Sequence, residues 1–169
     1  VIEYYKGKEA FDFFKKVYDN GIKLAIKPQN IELIKPKGTV REILTKVDEN
    51  NNLEKTAKEL NIEGILDRDS SQLSGGEFQQ VAIAATGLKN ADLYFFDEPS
   101  SFLDIKERLR GAEYIQKLSE NASVIVIEHD LVLLDYLSDY VNLMYGKPRV
   151  YGFVSQVKTT REGINTYLE

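Results

Sequence analysis

The sequence predicts an α/β fold with a mainly parallel sheet, flanking helices and an inserted helical subdomain. Two observations predict it. The apolar runs at residues 93–96 and 124–127 lack polar alternation, which is typical of parallel strands covered on both faces. Between them, apolar side chains recur every three or four positions from Ile105 to Leu118, so a helix should cross from one strand to the next in a βαβ unit.

Composition narrows the class of protein. A chain of 169 residues with 43% hydrophobic and 29% charged residues suits one globular domain. No apolar run approaches the roughly 20 residues that a membrane span needs, so we expect a cytoplasmic protein without a membrane partner. The absence of cysteine excludes a disulfide or a thiolate metal site within these residues, and the formal charge of −5 argues against bulk attraction to nucleic acid.

The first part of the chain alternates between helix and strand signals. Residues 8–19 have the period of an amphipathic helix, and Ile22, Leu24 and Ile26 alternate as in a half-buried strand. Pro28 breaks that strand. Short helices are expected at residues 39–47, 53–60 and 62–66, the first opened by a capping-box pattern. We assign residues 30–89 to a helical subdomain and residues 90–169 to the remaining half of the core.

The turn at residues 73–77, Leu-Ser-Gly-Gly-Glu, is the central motif of the sequence and starts a predicted helix. Gly75 and Gly76 permit a close approach of the backbone to a ligand, and a helix N-terminus favours anions. Ser74 and Glu77 also fit the S-x-x-E capping box, so a plain helix start is the alternative interpretation.

Carboxylates follow the first apolar strand directly. Asp97 and Glu98 at a strand end suit Mg²⁺ binding and the activation of water, although a solvated strand end is the simpler alternative. Asp104 and Asp130 each precede a predicted helix and suit its N-cap position. For Asp104, a role as N-cap alone is the alternative to a functional role.

The C-terminal part should contain further short elements. A helix is expected at residues 131–137, strands at 140–145 and 150–157, and a turn at 146–148. Thr159 with Glu162 should open a final helical turn.

The order of these motifs resembles the ATP-binding cassette (ABC) ATPases. The turn at residues 73–77 corresponds to the signature, Asp97-Glu98 to the end of Walker B, residues 100–104 to the D-loop, and His129 to the switch histidine. The resemblance implies ATP and Mg²⁺ as cofactors. Asp97 would then bind Mg²⁺ and Glu98 would polarise the attacking water.

The same resemblance implies roles for the other motif residues. His129 would contact the γ-phosphate, and Gln29, in the place of the Q-loop, would complete the shell of Mg²⁺ and water. Ser74, Gly75 and Gly76, together with Glu77, would bind the nucleotide of a second cassette in a head-to-tail arrangement. The resemblance also places Asp104 at the nucleotide.

Three further stretches are distinctive: Ile-Lys-Pro-Gln at residues 26–29, residues 130–139, and Arg-Glu-Gly-Ile-Asn at residues 161–165. They resemble the RNase L inhibitor family, the ribosome-recycling ABC ATPases, and in particular its first nucleotide-binding domain. This resemblance implies the ribosome and release-factor-type proteins as partners, and [4Fe–4S] clusters in an N-terminal domain outside these residues. It departs at Gln80, where the family usually has Arg, which puts the strength of coupling in doubt.

The phosphate-binding sequence G-x-x-x-x-G-K-[ST] does not occur among the 169 residues. Gly7-Lys8 and Gly146-Lys147 lack both the earlier glycine and the following Ser or Thr. We therefore expect a partial cassette that is inactive by itself, a segment of a longer protein. The alternatives are the ATPase head of a coiled-coil DNA-repair protein of the SMC class, an ABC transporter ATPase subunit, and a non-enzymatic binding module.

Overall fold

The computed structural model of the protein describes residues 6–7, 10–19, 21–31 and 36–169. The first two residues of the helix predicted at 8–19 lie outside this part of the chain. The elements are α1 (Ala10–Tyr18), β1 (Leu24–Lys27), α2 (Val40–Val47), α3 (Leu53–Glu59), 3₁₀ turns at Glu63–Ile65 and Ser70–Gln72, α4 (Gly75–Gly87), β2 (Leu93–Asp97), α5 (Ile105–Leu118), β3 (Ser123–Ile127), α6 (Leu131–Leu137), β4 (Tyr140–Val141), β5 (Met144–Lys147), β6 (Tyr151–Val154), β7 (Lys158–Thr159) and α7 (Thr160–Leu168).

A parallel sheet positions the acidic residues. Strand β2 lies between β1 and β3 and is parallel to both, with Leu24 opposite Leu93 and Asp97 opposite Ile127. Helix α5 connects β2 to β3, so the predicted βαβ unit and the α/β fold class are confirmed. Since the strands are parallel, their carboxyl ends meet at one edge of the sheet, and the functional loops follow them there.

One face of this sheet carries the core. Tyr94 and Phe96 of β2 are buried there, in one cluster with residues of α4 and α5. On the opposite face Ile125 is 48% exposed, so the expectation that β3 is covered on both faces is wrong for the described part of the chain. The alternation at residues 22–27 also indicated the wrong face, because Ala25 and Lys27 are buried while the larger apolar side chains of β1 are exposed.

The helical segment between β1 and α4 shares this core. Leu44, Leu60 and Leu66 are buried in the same cluster as Val81 and Ile83 of α4. The capping box predicted at the start of α2 forms, but the third predicted helix, at 62–66, is a 3₁₀ turn. A continuous apolar core therefore joins the helical segment to the sheet.

Tyr114 of α5 makes a polar contact inside this core. Its hydroxyl lies 3.3 Å from the hydroxyl of Thr56 in α3, and burial raises the pKa of Tyr114 to about 12. Gly87 at the end of α4 leaves room for this ring, because a Cβ atom there would overlap the tyrosine hydroxyl.

The C-terminal strands differ from the prediction. Residues 140–145 form not one strand but two, since β4 pairs with β7 and β5 pairs with β6, both in antiparallel ladders. The strand predicted at 150–157 is limited to β6. The turn falls at residues 148–150 rather than 146–148, because Gly146 extends β5 opposite Gly152 and Arg149 takes the left-handed conformation (φ 64°).

Two further features complete the fold. Thr159 caps α7 by accepting a hydrogen bond from the N–H of Glu162, which confirms the predicted final helix. Among the described residues, no helix is both long and apolar enough to cross a membrane.

Candidate functional site

The N-terminus of α4 is organised by a capping box. The Ser74 hydroxyl accepts a hydrogen bond from the N–H of Glu77, whose Oε2 in turn accepts from the Ser74 N–H at 2.8 Å. The capping interpretation of these two residues is therefore correct for the structure. Because the N–H groups of the first helical turn have no intrahelical partner, the cap leaves Gly75 and Gly76 available to an anion.

Arg68, which the sequence analysis did not single out, supports this turn. Its Nη1 donates to Glu77 Oε1 at 2.6 Å, and its Nη2 donates to the carbonyl of Gln72 at 2.6 Å. The hydrogen bond from the Ser74 N–H, aided by the Ser74 hydroxyl and by Arg68, lowers the pKa of Glu77. The carboxylate that caps the turn is thereby kept ionised.

The signature turn packs against the loop that follows Glu98. A Cβ atom at Gly76 would lie 2.9 Å from the carbonyl oxygen of Phe102, so only glycine allows this approach without movement of the backbone. Phe102 itself is exposed and in the left-handed conformation, with φ 66°. The two loops therefore form one continuous surface at the carboxyl edge of the sheet.

Glu98 lies in a turn with unusual backbone geometry. Its φ is 45°, its N–H donates to the carbonyl of Ile127 at 2.9 Å, and the Ser101 hydroxyl donates to Oε2 at 3.2 Å. Its other carboxylate oxygen, Oε1, lies 4.0 Å from Nδ1 of His129. The structure therefore brings together two of the residues that the sequence analysis placed in catalysis.

His129 is 75% exposed in its side chain and follows a buried carboxylate. The Glu128 side chain is fully buried, and its Oε1 accepts hydrogen bonds from the N–H groups of His129 (2.8 Å) and Asp130 (3.2 Å). This contact fixes the backbone that presents the imidazole.

Two buried side chains also donate hydrogen bonds to the turn around Glu98. Lys27 Nζ donates to the carbonyls of Asp97 (2.7 Å) and Glu98 (3.1 Å). Gln79 Nε2 donates to the carbonyls of Glu98 (2.9 Å) and Pro99 (3.0 Å). Burial lowers the pKa of Lys27 to about 8, although the carboxylates of Asp97, Glu98 and Glu128 oppose the shift.

Two of the predicted residues stand apart from this group. Gln29 follows β1 at the same edge of the sheet, but its exposed side chain makes no hydrogen bond to the described part of the chain. Asp104 is the N-cap of α5, in a second capping box with Glu107. The simpler interpretation of Asp104, as a cap, is correct for the structure.

Arg108 links two of the loops. Its Nε donates to the carbonyl of Leu103 at 2.9 Å, and its Nη1 donates to Asp130 Oδ2 at 2.8 Å. Asp130 also caps α6, as predicted. The loop after Glu98 and the loop of His129 are therefore joined by one guanidinium group, which the sequence analysis missed.

The arrangement of donors fits Mg²⁺ and does not fit a metal bound by the protein alone. The described residues contain no cluster of three or more His, Cys, Asp or Glu that could enclose a metal ion. Mg²⁺ requires less, since it is commonly bound by one or two carboxylates together with water and substrate phosphates. Asp97, half-buried at the end of β2, is suited to that role.

Residues 4–101 match the protein family described as ABC transporter. The chain is 49% identical, over 170 residues, to an ABC transporter ATP-binding protein of Methanocaldococcus jannaschii, covering 99% of this chain and 28% of that protein. It therefore spans less than a third of the length of this curated relative.

Solved structures agree with this similarity. The fold matches an archaeal ribosome recycling factor, crystallised with an archaeal ribosomal stalk protein, with a TM-score of 0.93 and 50% identity; the match covers 99% of this chain and 33% of that one. A protein described as RNase-L Inhibitor matches with the same TM-score, identity and coverage. The predicted resemblance to the RNase L inhibitor family is thus confirmed.

The cap at Asp104 generates a stability prediction. Asp104→Ala removes the acceptor for the Glu107 N–H and should lower the free energy of unfolding by about 1 kcal/mol, measured by urea denaturation. Asp104→Asn, whose side chain caps equally well, should leave it within a few tenths of a kcal/mol, at roughly the wild-type value. An alanine variant as stable as the asparagine variant would show that the cap does not stabilise α5.

Proposed function

The chain belongs to the ABC transporter family, and we propose that it forms part of the first ATP-hydrolysing cassette of a ribosome recycling factor. The proposal is supported above all by one observation. Glu98 lies 4.0 Å from His129, directly after Asp97 at the carboxyl end of a parallel sheet. The similarity to an archaeal ribosome recycling factor over 99% of this chain supports the choice within the family.

Each residue of the group has a separate role in this proposal. Asp97 binds Mg²⁺, which when bound neutralises charge on the transferring phosphoryl group. Glu98 accepts the proton of the attacking water, and His129 donates a hydrogen bond to the γ-phosphate. Gln29, two residues beyond β1 at the same edge of the sheet, would complete the shell of Mg²⁺ and the attacking water.

The signature binds a nucleotide held by a different cassette. Ser74, Gly75 and Gly76 lie at the N-terminus of α4 and are directed by the Glu77 cap, so they suit the γ-phosphate of ATP bound opposite them. Asp104 starts the helix beside this surface. The partner is a second ABC cassette of the same protein, arranged head to tail.

The wider setting follows from the relatives. We propose that the full-length protein splits ribosomal subunits after termination in the cytoplasm, with the ribosome and release-factor-type proteins as partners. Any [4Fe–4S] clusters are bound outside these 169 residues, which contain no cysteine. Residues 30–89 and 90–169 then act as the helical signature subdomain and as the half of the core that carries Walker B, the D-loop and the switch histidine.

Residues 1–169 by themselves should neither bind ATP tightly nor hydrolyse it. They contain no G-x-x-x-x-G-K-[ST] sequence, so no lysine in a glycine-rich loop is present to bind the β- and γ-phosphates. Isothermal titration calorimetry of the purified chain checks this. Micromolar affinity for ATP would contradict the assignment.

In the full-length gene product, Glu98→Gln should retain ATP affinity and lower the rate of hydrolysis at this site by about 100-fold or more. The amide cannot accept the proton from water, while the residue that binds Mg²⁺ is unchanged. Single-turnover hydrolysis and nucleotide titration measure the two effects separately. Glu120→Gln, on the exposed turn after α5, is the matched control, and an equal rate in the two variants would exclude Glu98 as the base.

Ser74→Arg should prevent the ATP-dependent closure of the two cassettes, because the larger side chain fills the space that the opposing γ-phosphate needs. Affinity for ATP at the site containing Asp97 should stay at the wild-type value. Nucleotide titration at each site and a closure assay by small-angle scattering provide the measurement. Ser119→Arg, after α5, controls for the added charge. Normal closure with weaker binding at the Asp97 site would show that the signature acts on its own cassette.

A further inference from the structure

Three consecutive carbonyl groups, those of residues 97–99, accept hydrogen bonds from two buried side chains. Lys27 reaches the first two from β1, and Gln79 reaches the last two from α4. Both side chains therefore bind the carbonyl of Glu98. They lie far from it in the sequence, Lys27 by 71 residues and Gln79 by 19.

Burial of the Lys27 ammonium group at this position is energetically unfavourable. Lys27 is fully buried on the core face of β1, which it shares with Ala25, and it pairs in register with Phe96 of the neighbouring strand β2. An apolar side chain would fill the same space without the unfavourable removal of an ammonium group from water. The hydrogen bonds to the carbonyls of Asp97 and Glu98 offset this cost, together with the attraction of the nearby carboxylates of Asp97, Glu98 and Glu128.

Gln79 is similar. It is 1% exposed, and its Oε1 has no hydrogen-bond partner in the described part of the protein, so one half of the amide is unsatisfied. The other half binds the carbonyls of Glu98 and Pro99. An unsatisfied buried oxygen destabilises the folded state, and the hydrogen bonds that Nε2 donates to the turn oppose this effect.

The turn that these side chains bind is strained. Glu98 has φ 45°, a conformation that a residue with a Cβ atom adopts only when its surroundings determine it. The N–H of Glu98 is bound to Ile127 of β3, and its carbonyl is bound to Lys27 and Gln79. With the peptide groups on both sides of its Cα bound, the direction of the Cα–Cβ bond is fixed. The carboxylate extends from this fixed point, and its Oε2 accepts a hydrogen bond from the Ser101 hydroxyl.

We propose that Lys27 and Gln79 are positioning residues that determine where the Glu98 carboxylate points during hydrolysis. Lys27 connects the turn to the strand that precedes Gln29, and Gln79 connects it to the helix that begins at the signature. The Q-loop strand and the signature helix thus meet on the backbone of the catalytic residue. This inference rests on the proposed ATPase function.

The test uses the full-length gene product with Lys27→Met and Gln79→Met, which keep the length of each side chain and remove its donor. Each variant should lower kcat by about tenfold to hundredfold, since misplacement of a reacting group by about 1 Å is enough for such a loss. KM for ATP should change by less than about threefold, because both side chains are buried and donate to backbone carbonyls of the turn. Thr86→Val is the matched control, because Thr86 is buried on the same helix but its hydroxyl donates to the carbonyl of Ala82 within that helix.

A double-mutant cycle separates positioning from general destabilisation. In a Glu98→Gln background, Lys27→Met and Gln79→Met should cause no further loss of kcat, because the group that they position is already absent. Effects that persist in that background, or a kcat equal to that of Thr86→Val in both variants, would overturn the inference. If Lys27→Met does not fold, Gln79→Met provides the same measurement.

Failure of the inference can be distinguished from failure of the proposed function. A wild-type protein that does not hydrolyse ATP, or a Glu98→Gln variant as fast as wild type, would refute the ATPase assignment and the inference with it. A wild type that hydrolyses ATP, a slow Glu98→Gln variant, and unchanged Lys27→Met and Gln79→Met variants would refute only the positioning role.

Discussion

The backbone of residues 97–99 is the constraint on which the rest of the site depends. Its polar groups are bound by β1 through Lys27, by α4 through Gln79 and by β3 through the carbonyl of Ile127. Three elements that are distant in sequence thereby meet at one turn at the carboxyl edge of the sheet. Glu98 adopts a left-handed conformation that residues with a Cβ atom rarely take, and these contacts hold the backbone on both sides of it.

Around that turn, helix capping fixes the loops that contain Ser74, Asp104 and Asp130. Capping boxes start both α4 and α5, and Asp130 caps α6. In each case the residue that satisfies the helix N-terminus also lies in a loop at the same edge of the sheet. The structural and the functional interpretations of Ser74 and Asp104 are therefore not exclusive, since a well-capped N-terminus is a rigid one and can present N–H groups to an anion.

Local signals made much of this predictable from the sequence. Capping patterns and apolar periodicity predicted the helices and the parallel strands, because both depend on neighbouring residues. The contacts of Lys27 and Gln79 with the turn at residues 97–99, of Arg68 with Glu77 and of Arg108 with Asp130 were not predicted. These partners are 9 to 71 residues away, and the side chain alone does not reveal them. The prediction of which face of β1 is buried was wrong for the same reason, since burial there is decided by packing against α4 and by the hydrogen bonds of Lys27.

The most direct measurement of this account is the crystal structure of the full-length Lys27→Met variant beside that of the wild type. Without the Nζ donor, we predict that Glu98 leaves the left-handed region and that its carboxylate moves away from Nδ1 of His129, from which Oε1 is 4.0 Å in the structure described here. A turn at residues 97–99 that superimposes on the wild type, with φ of Glu98 still near 45°, would contradict the account.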